Sequence, residues 1–324
     1  MIIAKAPFRI SFFGGGTDFP EYYESHGGCV LSTTIDKYCS ASIRHLMPIF
    51  PFRNQVTYSK IERFNDPDEV QHPLVREALK LLPVDRIQIV YDADLPARTG
   101  LGTSSSFAVS LLAALHKSRN EPFTKASLAK EAIRLERQIL NEAGGVQDQY
   151  AAAFGGFNRM DFSADGVTVS PVSFSEEAKT KLEHNLHLFF TGFTRFSFEI
   201  AKVQKENISN TISYLDALCS LTDAAQALLE NGEVDSFGAL LDEEWHLKKQ
   251  LSGRISNSTI DMLYQKAKNA GASGGKILGA GGGGFMLFYV PEEHREQFLK
   301  SFVGFDFVNF KFENQGVTVY GEQL

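Results

Sequence analysis

Residues 95–108 read LPARTGLGTSSSFA, a loop of glycines and hydroxyls that follows a short apolar run at residues 87–91 and opens into an apolar helix predicted over residues 105–117. Glycine lets the backbone approach an anion closely, and a helix N-terminus presents unpaired N–H groups that carry about half a positive charge. A helix cap needs one hydroxyl, whereas residues 103–106 supply four in succession. The stretch therefore predicts a site for a phosphate, or for a phosphate with Mg²⁺ that takes a hydroxyl oxygen as a ligand.

A second glycine-rich segment, residues 279–284, formally satisfies GxGxxG. It precedes the predicted strand at residues 285–290 and opens no helix, so its context is wrong for a dinucleotide site. Its bare amides, including those of Gly281 and Gly282, can still line an anion or a cleft. The motif GxxxxGK[ST] does not occur in the chain, so the phosphate loop needs other groups to compensate its charge.

A third glycine segment, Gly14, Gly15 and Gly16, follows a predicted strand and precedes Thr17 and Asp18. Glycine after a strand usually marks a hairpin turn. Three in a row exceed what a turn requires and leave the backbone bare, as at a site where a ligand touches the main chain. On these residues alone, both interpretations stay open.

The composition predicts a globular, soluble protein, and its length favours two domains. The chain has 324 residues, of which 43% are hydrophobic, enough to bury a large core. A net charge of −7 argues against broad binding to nucleic acid or to an anionic membrane, because both need a basic face. Three cysteines without CxxC spacing suit a reducing compartment, and no apolar run is long enough to span a membrane. We therefore expect a cytoplasmic monomer or homodimer that binds neither nucleic acid nor membrane.

The order of predicted elements divides the chain. Strands are predicted at residues 2–13 and, as a hairpin, at residues 28–45. Apolar residues recur at helical spacing in four segments of the first half: residues 72–82, 105–117, 124–140 and 146–154. The polar residues 173–185 mark the predicted boundary, beyond which strands and helices alternate again. We expect an α+β protein with domains at residues 1–180 and 181–324, the second an α/β sandwich of the ferredoxin type.

Three segments, taken in order, resemble the three motifs of the GHMP kinase superfamily, which includes galactokinase, homoserine kinase, mevalonate kinase and phosphomevalonate kinase. They are APFRISFFGGGTDF at residues 6–19, LPARTGLGTSSSFA at residues 95–108 and KILGAGGGGFMLF at residues 276–288. The resemblance spans the chain. It implies an N-terminal domain like ribosomal protein S5 domain 2, a C-terminal ferredoxin-like domain, and ATP and an acceptor in the cleft between them.

The middle segment resembles the PxxxGLGSSA loop that wraps the ATP phosphates in this family. The resemblance implies a Mg²⁺ ligand in the Ser104 hydroxyl and these phosphate contacts: Gly100, Leu101, Gly102, Thr103 and Ser105. The second Mg²⁺ ligand of these kinases is a glutamate on a helix shortly before the catalytic aspartate, which implies Glu136, with Glu142 as the alternative.

The segment GGVQDQY contains Asp148, which resembles the galactokinase aspartate that is the proposed base. The resemblance implies that Asp148 accepts the proton of the acceptor hydroxyl, while Arg9 orients that carboxylate or stabilises the transferring group. Without the motif, a helix cap or a surface carboxylate would be the commoner role of such an aspartate.

The first segment aligns without a gap with APGRVNLIGEHTDY of galactokinases, which puts Arg9 on their arginine and Asp18 on their sugar-binding aspartate. Their Glu-His pair is replaced by Gly15 and Gly16, so two polar side chains are lost, the pocket widens and galactose is disfavoured. GGGTDFPEYY and GGVQDQYAAAFGGFN resemble instead the heptose kinases, which phosphorylate the anomeric C1 hydroxyl of D-glycero-D-manno-heptose 7-phosphate towards nucleotide-activated heptose for surface glycans.

The heptose kinase resemblance implies ATP, Mg²⁺ and a sugar phosphate as ligands. The implied substrate contacts are Gly14, Gly15, Gly16, Thr17, Asp18, Gly281 and Gly282. The 7-phosphate would need cations near the glycine turn, and the unranked candidates are Arg9, Lys37, Arg44 and Arg98. Arg195 is a further candidate for a contact to the acceptor or a phosphate, although a surface salt bridge explains it equally well.

Three alternatives to a heptose kinase stay in view. The pattern GG-x-[ST]-D-x-P is also similar to bacterial fucokinases. A non-catalytic sugar or ATP sensor of the superfamily should have lost Ser104, Glu136 or Asp148, and all three are intact. A decarboxylase like diphosphomevalonate decarboxylase lacks support in the first segment, which is sugar-like through Thr17 and Asp18.

Overall fold

The computed structural model describes residues 1–194 and 197–321. Its strands are β1 (Ile2–Phe13), β2 (Gly28–His45), β3 (Asn54–Thr57), β4 (Ile61–Phe64), β5 (Ile87–Ala93), β6 (Phe157–Ser163), β7 (Gly166–Pro171), β8 (Leu186–Phe190), β9 (Gly274–Ile277), β10 (Phe285–Tyr289), β11 (Phe307–Val308), β12 (Phe312–Glu313) and β13 (Thr318–Tyr320). Its α-helices are α1 (Pro20–His26), α2 (Pro73–Leu81), α3 (Thr103–Ser118), α4 (Lys125–Ile133), α5 (Gln147–Phe154), α6 (Glu176–Asn185), α7 (Ser197–Glu230), α8 (Phe237–Gln250), α9 (Ser258–Asn269) and α10 (Arg295–Ser301). A π-helix, Arg134–Ile139, continues α4, and 3₁₀-helices occur at Pro67–Glu69, Val234–Ser236 and Glu292–His294.

The larger sheet has nine strands and follows the path β13-β1-β2-β5-β3-β4, with β6 and β12 also paired to β2 and β7 paired to β6. Its main pair, β1 with β2, is antiparallel. Helix α3 packs against both strands and is buried from Ser105 to Leu115, which confirms the central apolar helix predicted after the loop.

The smaller sheet is antiparallel, with the strand order β11-β8-β10-β9, and α8 packs on β9. The two sheets with their helices confirm the α+β class. After β11 the chain returns to the first sheet, where β12 pairs with β2 and β13 pairs with β1. The division at residues 180 and 181 therefore stays a prediction, and residues 312–320 contribute to the first sheet.

Two element predictions need correction. The hairpin expected at residues 28–45 is wrong, because β2 is one continuous strand of 18 residues that pairs in turn with β6, β1 and β5. The helix predicted over residues 124–140 has the expected cap, since the Thr124 side chain accepts from the Ser127 amide. However, it widens into the π-helix after Ile133. No helix in the described ranges combines the length and the apolar character that a membrane crossing requires.

Candidate active site

The phosphate loop predicted from the sequence forms one wall of a cleft of about 1510 Å³. Gly102 is the N-cap of α3 and adopts a left-handed conformation with φ of 74°, which glycine tolerates without strain. Helix α3 begins at Thr103, so its first amides have no intrahelical partner and point out of the helix end. Ser104 is exposed at this end, whereas Thr103 and Ser105 are buried. A drug-sized ligand fills about 300–1,000 Å³, so this cleft has room for two substrates.

The second glycine-rich segment, residues 279–284, packs against the phosphate loop. A Cβ at Gly279 would lie 2.6 Å from the Gly100 Cα, and a Cβ at Gly284 would lie 2.4 Å from the Thr99 carbonyl oxygen. The Phe285 amide donates to that same Thr99 oxygen at 3.1 Å. The bare backbone of residues 279–284 therefore lets the two loops touch directly.

Arg9 joins the phosphate loop to Asp148. Its Nε and Nη2 donate to the two carboxylate oxygens of Asp148 at 2.8 and 2.9 Å, and its Nη1 donates to the Gly100 carbonyl at 2.6 Å. Arg9 is 5% exposed, while a quarter of the Asp148 side chain is exposed to the cleft. A Cβ at Gly102 would lie 3.3 Å from Asp148 Oδ2, so this carboxylate borders the N-terminus of α3.

Glu136 lies buried beneath the same helix end. Its Oε2 accepts from Ser105 Oγ at 2.8 Å and from Gln149 Nε2 at 2.6 Å. Burial, and next the negative charge of Glu142, raise the pKa of Glu136 to about 7. Glu142 also lines the cleft, and partial desolvation of its carboxyl by the cleft wall raises its pKa as well. Two carboxylates that disfavour each other's charge are suited to share a cation.

The Ser104 hydroxyl and the Glu136 carboxylate are hard oxygen donors of the kind that Mg²⁺ prefers. Both line the cleft at the start of α3. The described residues hold no group of three or more His, Cys, Asp and Glu side chains arranged for a metal. Mg²⁺ usually takes only one or two protein ligands and completes its shell with substrate phosphates and water, so these residues fit that ion.

Asp18 occupies the other wall of the cleft and is 1% exposed. Its carboxylate accepts from the amides of Gly16 and Gln147, at 3.0 and 3.1 Å. Burial raises the pKa of Asp18, and the nearby Asp148 charge adds to the effect. The loop before α5 can close over this carboxylate only because residue 145 is glycine, since a Cβ at Gly145 would lie 1.8 Å from Asp18 Oδ2.

The glycine turn divides into a buried part and an open part. Thr17 is fully buried, and its hydroxyl bonds the carbonyls of Gly14 and Cys29, which fixes the turn. Gly15 and Gly16 line the cleft. Within the described chain, five of the predicted contacts do not line it: Gly14, Thr17, Leu101, Gly281 and Gly282.

Those five residues form the scaffold instead. The Leu101 carbonyl accepts from the Arg9 amide at 3.1 Å, and the Gly282 amide donates to the Ile255 carbonyl at 2.8 Å. A Cβ at Gly281 would lie 2.8 Å from the Ile255 Cα. Direct contacts of these residues to a ligand stay predictions.

The cleft residues that sequence reasoning missed include four polar side chains: Ser11, Gln147, Lys248 and Lys276. Ser11 Oγ and Gln147 Oε1 are buried and have no hydrogen-bond partner in residues 1–194 and 197–321. Both lie beside Gly15, because a Cβ there would be 3.6 Å from Ser11 Oγ and 3.9 Å from Gln147 Nε2. Ser11 follows Arg9 by two residues, which is the spacing of side chains on one face of a strand. That spacing is the one sequence signal that could have identified Ser11 as a site residue.

Lys276 forms a buried ion pair with Glu244. Its Nζ donates to Glu244 Oε1 at 2.7 Å and to the Phe12 carbonyl at 2.6 Å, with both side chains fully buried. This ion pair ties β9 and α8 to β1 directly beneath the glycine turn.

Of the cations that the sequence suggested for binding the 7-phosphate, some line the cleft and others do not. Lys37 bonds Asp36 and Arg44 bonds Gln88, and neither lines the cleft of the described chain. Arg98 lies at an exposed position of the cleft wall. Arg195 lies outside the described residues.

Comparison with known proteins agrees with this geometry. The profile of the GHMP kinases N terminal domain matches residues 72–156, and that of the GHMP kinases C terminal domain matches residues 224–309. The D-glycero-alpha-D-manno-heptose 7-phosphate kinase of Campylobacter jejuni is 32% identical, over 93% of this chain and 92% of the relative. The bifunctional fucokinase/GDP-fucose pyrophosphorylase of Arabidopsis thaliana is 28% identical over 91% of this chain, which spans 30% of that relative.

A crystal structure of a D-glycero-D-manno-heptose 1-phosphate kinase from Bacteroides thetaiotaomicron superposes with a TM-score of 0.82. The two chains are 25% identical and each is covered over 100% of its length. The likeness therefore extends through both sheets and the cleft between the phosphate loop and Asp18. By motif order, fold and similarity along the whole sequence, the chain belongs to the GHMP kinase family.

Proposed function

We propose that the chain transfers the terminal phosphoryl group of ATP to the anomeric C1 hydroxyl of D-glycero-D-manno-heptose 7-phosphate. The name and identity of the Campylobacter jejuni relative support this acceptor. The observation that carries the proposal is the position of Asp148, a proton acceptor that borders the N-terminus of α3 while remaining open to the cleft. A cytoplasmic location and a monomeric or homodimeric state stay predictions.

The nucleotide would occupy the cleft from the phosphate loop towards an aromatic end. The backbone amides of residues 102–105 and the α3 dipole favour the phosphates. Tyr58, His72, Tyr91 and Phe107 line the far end, where the Tyr91 and Phe107 rings meet edge to face at 4.4 Å. Such a pocket suits the flat apolar faces of a nucleotide base.

Ser104 and Glu136 would hold Mg²⁺, and Glu142 is the alternative carboxylate. The ion, when bound, neutralises charge on the β- and γ-phosphates. Glu136 fits this role better than Glu142, because Ser105 and Gln149 hold its carboxylate in place at the helix end.

The acceptor would lie between Asp148 and the glycine turn. Asp18 and Gln147 line this space with a carboxylate and an unpartnered amide oxygen, which suit sugar hydroxyls. Asp148 would take the proton of the C1 hydroxyl as that oxygen attacks the terminal phosphorus, and Arg9 holds the carboxylate in the required orientation. Phosphoryl transfer needs mainly such alignment and charge compensation.

A panel of acceptors with Mg²⁺ and ATP, followed by ADP release, tests the proposal. Heptose 7-phosphate should be turned over with a much higher kcat/KM than L-fucose or galactose. The similarity to the fucokinase part of the Arabidopsis thaliana relative makes fucokinase the second candidate. If fucose is the best acceptor, the heptose assignment is wrong and the sugar kinase assignment stands.

A further inference from the structure

The ammonium group of Lys248 lies in the cleft wall without a carboxylate partner. Lys248 belongs to α8, is 5% exposed and lines the cleft. Its Nζ donates to the carbonyl oxygens of Ile277 at 3.0 Å and Gly279 at 2.6 Å. An ammonium has three N–H donors. In the described ranges no carboxylate oxygen comes within 4.0 Å of this nitrogen, so one N–H donor is unused and no carboxylate contacts the ammonium.

The other cations in the sheltered parts of the cleft wall are each neutralised by a carboxylate: Arg9 by Asp148, Lys276 by Glu244 and Arg137 by Glu21. Lys60 and Arg98 also line the cleft, at exposed positions. Lys248 therefore differs from both groups, because it is buried and lacks a carboxylate. A buried charge without a counter-ion is unfavourable, and an anionic ligand would offset that penalty.

Lys248 faces the glycine turn. Glu244, Lys248 and Leu251 follow one another at the four- and three-residue spacing that puts side chains on one helical face. Glu244 accepts from the Gly14 amide at 3.5 Å, and a Cβ at Gly16 would lie 3.2 Å from Leu251 Cδ1. The face of α8 that carries Lys248 therefore packs against the glycine turn, and the Lys248 Nζ itself is held by the carbonyls of Ile277 and Gly279.

The surroundings of Lys248 disfavour its charged form. Burial lowers the pKa of Lys248 well below its ordinary value, and the charges of Lys276 and Arg9 lower it further, against the opposing effects of Glu244 and Asp18. Of these charges, Arg9 is already paired with Asp148 and Lys276 with Glu244, whereas Lys248 has no carboxylate of the described chain in contact. A dianionic group bound there would stabilise the charged form of Lys248 and raise its pKa again.

We infer that Lys248 binds the distal phosphate of the acceptor beside Gly15, an inference that rests on the proposed heptose 7-phosphate kinase activity. A phosphate oxygen takes the third N–H of the ammonium and supplies the missing counter-charge. The unpartnered Ser11 Oγ, next to Gly15, donates to the same phosphate. A neutral sugar hydroxyl would take the hydrogen bond without compensating the charge, so Lys248 selects phosphorylated acceptors.

The test compares two acceptors, D-glycero-D-manno-heptose 7-phosphate and the same heptose without its phosphate, in the wild type, K248M, K248R and K249M. The ratio of kcat/KM for the phosphorylated over the free sugar should fall about 10- to 100-fold in K248M, the range for a lost hydrogen bond to a charged group. K248R keeps the charge and should keep most of the preference. K249M is the matched control, because Lys249 lies over the Trp245 ring at 5.5 Å and does not line the described cleft.

An unchanged ratio in a folded K248M would overturn the role of Lys248 while leaving the proposed activity intact. Absence of turnover of heptose 7-phosphate by the wild type would refute the proposed activity itself. If K248M does not fold, calorimetry of the wild type at pH 8 in buffers of different ionisation enthalpy decides. Heptose 7-phosphate should take up more protons on binding than free heptose does, and equal uptake would contradict the inference.

Discussion

Arg9 donates to both carboxylate oxygens of Asp148, from Nε at 2.8 Å and from Nη2 at 2.9 Å, while its Nη1 bonds the Gly100 carbonyl at 2.6 Å. One guanidinium therefore fixes the proposed base and the phosphate loop relative to each other. A carboxylate offers about four lone-pair sites, so Asp148 can accept a proton from a substrate hydroxyl while these bonds persist. The planar fork of arginine gives this geometry, which a lysine does not reproduce.

Replacing Asp148 by asparagine should lower kcat about 10²- to 10⁴-fold, the usual contribution of a general base. ATP affinity should change little, because within residues 1–194 and 197–321 Asp148 is hydrogen-bonded to the phosphate loop only through Arg9. Turnover by ADP release and nucleotide binding by calorimetry measure the two effects. Asp92→Asn is the matched control, since Asp92 is an exposed carboxylate of the same cleft. Turnover of D148N within about tenfold of the wild type would show that another group is the base.

Gly145 and Gly144 offer a matched pair of substitutions in the loop before α5. A Cβ at Gly145 would lie 1.8 Å from Asp18 Oδ2, whereas a Cβ at Gly144 meets no atom within 4 Å. Gly145→Ala should displace Asp18 or the Gln147 amide and raise the acceptor KM by about tenfold or more, the equivalent of one lost hydrogen bond to a charged group. Gly144→Ala should behave like the wild type.

Steady-state kinetics with acceptor and ATP varied separately measures this effect, since the ATP KM should hardly change in either variant. Equal acceptor KM values for G145A and G144A would mean that Asp18 does not contribute to acceptor binding.

The raised pKa of Glu136 predicts that the free energy of unfolding depends on pH. Burial raises its pKa from 4.5 to about 7, so the folded protein binds this proton more tightly than the unfolded chain. The stabilisation is therefore present below about pH 4.5 and is lost as the pH rises through about 7. Such a shift corresponds to about 3 kcal/mol. Glu136→Gln removes the ionisation, and because Ser105 and Gln149 bond the same oxygen, an amide oxygen can accept from both.

Denaturant unfolding in EDTA at pH 5 and pH 8 checks this prediction. The wild type should lose more free energy of unfolding than E136Q across this range, and E136Q should be the more stable protein at pH 8. Mg²⁺ with ATP should stabilise the wild type at pH 8 and E136Q much less. If the free energies of unfolding of the wild type and E136Q change with pH in parallel, the ionisation of Glu136 does not affect stability. Glu142→Gln then tests the alternative carboxylate.

The sequence predicted those parts of the site that depend on local pattern. A strand, a loop of glycines and hydroxyls and an apolar helix follow one another directly in the sequence. The phosphate loop with Gly102 and Ser104 could therefore be predicted from the sequence alone. The family motifs added Arg9, Asp18 and Asp148, which the fold brings to the same cleft.

What the sequence did not predict depends on tertiary contact. The Gln147 amide reaches Asp18 across 129 residues, and Lys248 reaches the cleft because α8 packs on β9. A lysine within DEEWHLKK looks like part of a solvated helix face, and only burial distinguishes Lys248 from its neighbour Lys249. The hairpin expected within β2 failed for a related reason, because four partner strands, β1, β5, β6 and β12, keep its full length extended.

The glycines of the cleft also set where its specificity can be re-engineered. Gly100 and Gly279 meet backbone to backbone, with φ values of 85° and 65°, so a side chain at either would force the other loop to move. Gly15 meets only side-chain atoms, at 3.6 and 3.9 Å, and has no left-handed φ. Mutant libraries should therefore leave Gly100 and Gly279 unchanged and diversify position 15. A new side chain there can change which acceptor binds without changing the binding of ATP.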